Sequence, residues 1–276
     1  MNSSMKVQRS QRSAAWKCLN ATSIKLLAVI LMFCDHIHQM YVSGGAPIWL
    51  NMLGRPVFPL FLFIAAESFH YTSSRKKYLQ RLLFASWGMS VITTILSLLV
   101  PNPDIVLMNN AFSTFFVTGL YMLFWTWFVD GWKKKRVSLV IKSMLCCFLP
   151  IIAAIPLLLV GALSANDNIP LVVLRILVFF CLLIPNILTL EGGFLFVVLG
   201  TLFYIFREKR GLQIAILLLL SGIVYILGSG GIQWMMCFAA LPMFLYNGQR
   251  GRGMKNFFYV FYPTHICFLY LIATLL

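Results

Sequence analysis

Acidic side chains are the scarcest feature of this sequence: 7 Asp and Glu among 276 residues, with charged residues of both signs making up only 11%. A soluble domain carries about 25% charged residues and about 45–50% apolar ones. Here 61% are hydrophobic and mean hydropathy is +0.88. Too little polar surface exists to cover a globule of this size. The shortage excludes a soluble enzyme, cytosolic or secreted, and a disordered chain. Familiar motifs are missing as well. The 7 cysteines include no CxxC pair and no metal-ligand spacing, so a disulfide scaffold and a metal site have no support. The absence of a Walker loop, a GxSxG elbow and an HExxH pair removes support for nucleotide hydrolysis, serine-elbow hydrolysis and zincin chemistry.

What is present is a succession of apolar runs. A helix needs about 20 apolar residues to cross the hydrocarbon. That length predicts spans near 22–43, 48–70, 79–100, 106–129, 139–163, 169–188, 192–206, 212–228, 231–247 and 256–275. Of these, 192–206 is the shortest. An open sheet cannot satisfy its backbone in lipid, and the runs lack the alternation of a barrel. The expected fold is therefore an all-α polytopic transmembrane bundle of about ten spans, nine to eleven. The first run follows basic residues, as in a signal peptide. Asp35, His36 and His38 interrupt it and no convincing cleavage site follows, so it reads as a retained first helix.

The 22 Lys and Arg residues give a formal charge of +15. They fall in short clusters between apolar runs, which is how topology is encoded and is not a nucleic-acid footprint. Lys6, Arg9, Arg12 and Lys17 put the amino terminus in the cytoplasm; Arg75 to Lys77 and Lys133 to Arg136 mark further inside loops. Asp104 and Asp167 lie in outside loops without Lys or Arg. The basic groups at 207–210 and 250–255 also belong inside. That requires an odd number of crossings between Asp167 and Arg207, where two runs occur. A re-entrant or partial segment, an extra short element, or a failure of the charge rule would each account for it. Residues 1–21 form a basic cytoplasmic segment, and 22–276 a single transmembrane domain.

Ionisable groups inside spans are costly and mark function or a buried pair. Lys25 and His36 lie eleven residues apart on one expected helix. They return to one face, offset by about 20° and separated by about 16 Å along the axis. The pair can line a site; equally, Lys25 can snorkel to headgroups and His36 bond a neighbouring helix. Asp35 can orient an imidazole that acts as a base. His38 points about 200° from His36 and is expected to share no role with it. Arg55, in Gly54-Arg55-Pro56-Val57-Phe58-Pro59-Leu60-Phe61, sits beside two prolines expected to break the helix. It can clamp an anion or carbonyl, or pair with Asp35 or Glu67. Arg75, Lys76, Lys77 and Arg81 form either an inside-loop signal or a platform for an anionic donor. Glu191 opens a Glu-Gly-Gly boundary. Tyr246 and Asn247 begin a Gly-rich basic loop that is either a turn or a phosphate contact. Tyr262 and His265 follow in the last span.

Taken in order, these segments resemble the TraX family. The likeness runs from Lys25 through Asp35-His36, Gly54 to Phe61, Tyr78-Leu79-Gln80-Arg81-Leu82, Glu191-Gly192-Gly193, Tyr246-Asn247-Gly248 and Phe261 to His265. That family is named for a conjugation protein that acetylates the amino terminus of pilin. It is similar to a wider group of membrane acyltransferases whose first helix carries a basic residue, ten intervening residues and a histidine. The resemblance implies an integral acetyltransferase of the cytoplasmic membrane that uses cytoplasmic acetyl-CoA, with His36 as candidate base. The acceptor would be a pilin-like protein or a surface glycan. In that chemistry Asp35 would orient the base and Arg55 would contact the acyl carbonyl. Lys25, Arg75, Lys76, Lys77 and Arg81 would hold the donor. No metal or nucleic acid is expected. A transporter and a non-catalytic assembly factor are the competing readings.

Overall fold

The computed structural model describes residues 16–107, 110–165, 168–228 and 230–275. Lys6, Arg9, Arg12 and Asp167 lie outside the described residues. Among those described, all regular structure is helical apart from one bridge pairing Leu19 with Tyr246. In chain order the helices are α1 (Ala21–Tyr41), α2 (Ile48–Gly54), α3 (Val57–Tyr71), α4 (Arg75–Leu99), α5 (Ala111–Lys133), α6 (Val137–Cys146), α7 (Leu149–Ile152), α8 (Ile155–Leu163), α9 (Leu171–Leu182), α10 (Phe194–Ile205) and α11 (Arg210–Leu227). A 3-10 helix (Gln233–Ala239), α12 (Ala240–Phe244) and α13 (Lys255–Leu275) complete the chain.

Each of the ten apolar stretches carries helix. Seven of the stretches are long and apolar enough to cross a membrane: Ala21–Tyr41, Ile48–Tyr71, Arg75–Leu99, Ala111–Lys133, Val137–Leu163, Arg210–Leu227 and Asn256–Leu275. The protein is a polytopic, all-helical membrane protein. The other three stretches are shorter, and α9 and α10 have 12 residues each. Twelve residues rise about 18 Å, against a hydrocarbon core of about 30 Å. Half-length helices thus occupy the interval where the charge pattern demands an odd number of crossings.

Polar caps and prolines set many of the helix boundaries. Asn20, Ser74 and Asn110 accept hydrogen bonds from the amides of Ser23, Lys77 and Ser113, satisfying donors at the starts of α1, α4 and α5. The expected double break at Pro56 and Pro59 is a single one. The chain turns at Arg55–Pro56, while Pro59 sits in the first turn of α3. There a missing amide costs no internal hydrogen bond. The run at 139–163 divides into α6, α7 and α8, with Pro150 and Pro156 in the first turns of α7 and α8. Helix α4 begins at Arg75, so the basic cluster read as a loop forms its opening turns.

The chain resolves into two compact units. One holds the chain up to Ile64 together with Glu208–Phe258, and the other holds Ala65–Arg207 together with Tyr259–Leu276. In the first, α1 packs on α2, and α11 on the 3-10 helix and α12. Its buried core includes Ile24, Leu60, Leu62, Phe63, Met236 and Met243. In the second, α5 packs against α4, α6 and α10, over Phe69, Met89, Val117, Leu199 and Phe203. Helices α6 to α9 expose Met144, Leu145, Ile152, Leu158, Leu159, Val172 and Phe180. Lipid solvates such a face at no cost, whereas water would not.

Candidate functional site

In the first unit, the site grows from the close approach of α1 and α2. A Cβ on Gly54 would stand 2.3 Å from Cγ and 2.4 Å from Cβ of Asp35. Only glycine lets the two helices meet at this depth. Immediately after Gly54 the helix stops, and the Arg55 side chain folds back over the break. Its Nε donates to the Asn51 carbonyl at 3.0 Å, Nη1 to Oε1 of Gln233 at 3.0 Å, and Nη2 to Oδ1 of Asp35 at 2.7 Å. Of the two partners considered for Arg55, the structure supplies Asp35. Both side chains remain 22% exposed. Three of the five guanidinium N–H groups are committed to these contacts.

Helix α1 runs unbroken through Lys25, Asp35, His36 and His38, so the eleven-residue spacing of Lys25 and His36 lies on one rod. His36 is buried. Lys25 is half-buried, with its Nζ 5.4 Å from the centroid of the Phe258 ring. Oδ1 of Asp35 goes to Arg55, while the His38 ring lies within electrostatic reach of the same carboxylate. That matches helix geometry, in which residues three apart share a face and adjacent residues do not. His38 is buried too, and its Nδ1 has no hydrogen-bond partner among the described residues.

The Gly-rich loop closes over the start of α1. Leu19, Asn20 and Ala21 run beside it: Leu19 N donates to Leu245 O at 3.1 Å, Asn247 N to Leu19 O at 2.8 Å, and Ala21 N to Gln249 O at 2.8 Å. Thr22 Oγ1 donates to the carbonyls of Arg250 and Arg252 at 3.0 and 2.6 Å. Gly251 has φ +72°, and a Cβ there would stand 2.3 Å from Asn20 Oδ1, the oxygen that caps α1. Tyr246 is buried, and its ring and that of Phe63 face the Arg210 guanidinium at 4.9 and 4.2 Å. Asn247 Oδ1 accepts from Gln249 N at 2.8 Å, tightening the turn.

The remaining candidates fall in the second unit. Lys76, Lys77 and Arg81 are exposed on the first two turns of α4, and Arg75 lies 5.6 Å over the Phe69 ring. The first turn of α4 has no acidic residue, and Arg75, Lys76 and Lys77 stand where the helix dipole already favours an anion, with Arg81 one turn further on. Glu67 is half-buried on α3. The Tyr262 hydroxyl donates to Oε2 of Glu191 at 2.7 Å and accepts from the Ala111 amide at 3.0 Å. Thr114 Oγ1 donates to the Glu191 carbonyl at 3.2 Å. His265 is buried, with Nδ1 2.7 Å from the Phe261 carbonyl and its ring stacked on that of Phe261. No group of three or more His, Cys, Asp or Glu suited to a metal ion occurs among the described residues.

Three features escaped the sequence reading. Gln233 was an unremarked amide at the start of an apolar run, and its bond to Arg55 spans 178 positions. Arg175 is exposed on α9 between apolar neighbours; its signal was a lone cation inside the 169–188 run. His38 lies about 200° from His36 on α1 but only three residues from Asp35, whose face it shares.

Comparison with known proteins supplies the context. The sequence profile described as TraX protein matches residues 20–273. A curated relative, "Probable fimbrial assembly protein FimC, serogroup H1" of Dichelobacter nodosus, is 36% identical over 69 residues. The match covers 24% of this chain and spans 28% of that relative's length. No solved structure matches the chain. With the profile covering nearly every described helix, the chain belongs to the TraX protein family.

Proposed function

We propose that this protein is a multi-pass acetyltransferase of the cytoplasmic membrane that moves an acetyl group from acetyl-CoA to the terminal amine of a pilin-like protein. The observation that carries the reading is the Asp35–Arg55 ion pair, held by Gln233 beside buried imidazoles on an apolar helix. Charged groups inside a membrane span are retained at a cost, and a base, a guanidinium and a carboxylate together are the set that acyl transfer uses. The family match supports acyl chemistry by resemblance. The fimbrial assembly relative supports a pilin acceptor.

The coenzyme supplies an activated thioester. His36 takes a proton from the acceptor amine as its nitrogen attacks the thioester carbonyl carbon. The carbon–sulfur bond then breaks, and the departing thiolate recovers the proton from the imidazolium. Arg55 has two N–H groups beyond its three hydrogen bonds, enough to meet the carbonyl oxygen as negative charge develops on it. Asp35 keeps that guanidinium in place. Lys25, at the start of α1, favours the phosphates of the donor; Arg75, Lys76, Lys77 and Arg81, at the cationic opening of α4, are a separate candidate for the same contact.

The test incubates membranes bearing the wild type or His36→Ala with labelled acetyl-CoA and follows label into protein and glycan fractions. Label in a protein amino terminus that depends on the wild-type chain is the expected result. Label only in glycan moves the acceptor to a hydroxyl; label in neither fraction ends the acetyltransferase reading.

A further inference from the structure

We propose that His38 binds the acceptor, with its buried Nδ1 taking a hydrogen bond from a backbone N–H of the acceptor's leading residues beside Asp35, which leaves the terminal amine itself to His36. The inference rests on the acetyltransferase reading above and adds a residue which that reading does not use.

Four observations converge on it. First, His38 is 7% exposed, and its Nδ1 has no hydrogen-bond partner among the described residues. A buried polar atom without a partner is costly and is retained where something else uses it. Second, the neighbouring polar groups are engaged: Nε, Nη1 and Nη2 of Arg55 each donate, to Asn51, Gln233 and Asp35. The orphan therefore sits at the edge of an ordered network.

Third, the chemistry of the group selects the ligand. His38 is three residues after Asp35, so the two share a face of α1. Asp35 spends Oδ1 on Arg55, and a carboxylate has about four lone-pair sites. A carboxylate with spare capacity and a ring nitrogen with none used make an acceptor-rich pair. That pair suits a segment rich in N–H, as the backbone of an acceptor's leading residues is. An anionic ligand would find Arg55 already neutralised by Asp35.

Fourth, the pair lies at the far end of α1 from the cations. Lys25 and the loop of Arg250 and Arg252 gather at the helix start, through Thr22 and the electrostatic reach of Arg250 to Lys25. His38 stands thirteen residues beyond Lys25, about 20 Å along the axis. An anionic donor belongs with the cations; the opposite end is left for the acceptor. Recognition then requires the tautomer with hydrogen on Nε2, so that Nδ1 accepts.

The test uses the full chain reconstituted in lipid nanodiscs, with labelled acetyl-CoA as donor and the membrane-protein fraction of the source cells as acceptor. His38→Gln and His38→Phe should raise the half-saturating amount of acceptor about tenfold, the loss of one such bond. The half-saturating acetyl-CoA concentration should stay within about twofold, and Tm should stay level or rise, since the orphan atom is removed. His38→Asn places an oxygen close to the position of Nδ1 and should restore acceptor binding to within about threefold, whereas Gln reaches to the position of Nε2. Unchanged acceptor saturation in both the Gln and Phe variants overturns the proposal. So does a shift in acetyl-CoA saturation alone, a fall of Tm in both variants, or label carried only by glycan. A wild type that transfers no label removes the acetyltransferase reading and this inference with it. A wild type that transfers beside an equally competent His38→Phe removes the inference only.

Discussion

Two half-buried carboxylates, Asp35 in the first unit and Glu191 in the second, are stabilised by opposite means. Asp35 faces a guanidinium at 2.7 Å, and beside it an imidazole nitrogen has no partner among the described residues. Glu191 accepts from a neutral hydroxyl at 2.7 Å, and that hydroxyl also takes the Ala111 amide at the start of α5. One network keeps hydrogen-bonding capacity in hand. The other spends its capacity on a buried helix end, one of the amides that no helix can satisfy internally. Polarity buried inside a membrane protein thus serves two purposes here. Unspent capacity separates the candidate site from the anchor.

The sharpest way to break the contrast is at Gly54. Gly54→Val drives a side chain into Asp35, and displacing Asp35 strips Arg55 of its counter-charge. We expect loss of all transfer and a stability loss of about 3 kcal/mol or more, read by thermal unfolding in detergent. Native-like stability would mean the helices separate freely and the pair is dispensable. Arg55→Ala follows, at about 3 kcal/mol, because Asp35 is left charged and uncompensated in an apolar setting. The partial exposure of both groups keeps it from costing more. Adding Asp35→Asn to Arg55→Ala should recover about half of that stability and none of the transfer.

Tyr262→Phe tests the other side of the comparison. It removes the hydroxyl shared by Glu191 and Ala111, and we expect a loss of about 2 kcal/mol in stability. Transfer per folded molecule, measured with labelled acetyl-CoA, should be unchanged. A large fall in turnover at full folding would make Glu191 part of the chemistry. Smallest is Lys76→Glu with Lys77→Glu. A carboxylate in the first turn of α4 suits the helix dipole and should stabilise by about 0.3–1 kcal/mol each. The same change should weaken acetyl-CoA several-fold, and less at high salt. Stability and donor affinity moving in the same direction would remove α4 from the donor site.

Much of the framework is legible in the sequence, because membrane helices announce themselves locally. All ten apolar runs carry helix, and the spacing from Lys25 to His36 lies on one unbroken rod. The division of 139–163 follows from Pro150 and Pro156 once their first-turn positions are known. Less legible was the start of α4. Apolar counting begins at the first hydrophobic run, whereas the Ser74 cap starts the helix four positions, three of them cationic, earlier than the expected 79. In the site, the sequence leaves the partner of Arg55 open between Asp35 and Glu67, and the structure supplies Asp35. Asp35 was expected to orient an imidazole, and its Oδ1 goes to Arg55. Helix angles alone could have brought His38 to Asp35, had the face been measured from the carboxylate.

The sequence by itself determined that this chain is helical, lives in lipid and carries Lys25, Asp35, Arg55 and Glu67 within its first two membrane runs. Those properties depend on composition and on periods of a few residues, which chain order preserves. Tertiary structure decided which charges meet. Asp35, Arg55 and Gln233 stand 20 and 178 positions apart along their contacts. Their meeting depends on a glycine that admits one helix to another, on the break at Arg55–Pro56 and on the returning 3-10 helix. No local pattern encodes such a contact, because it forms only when distant segments pack.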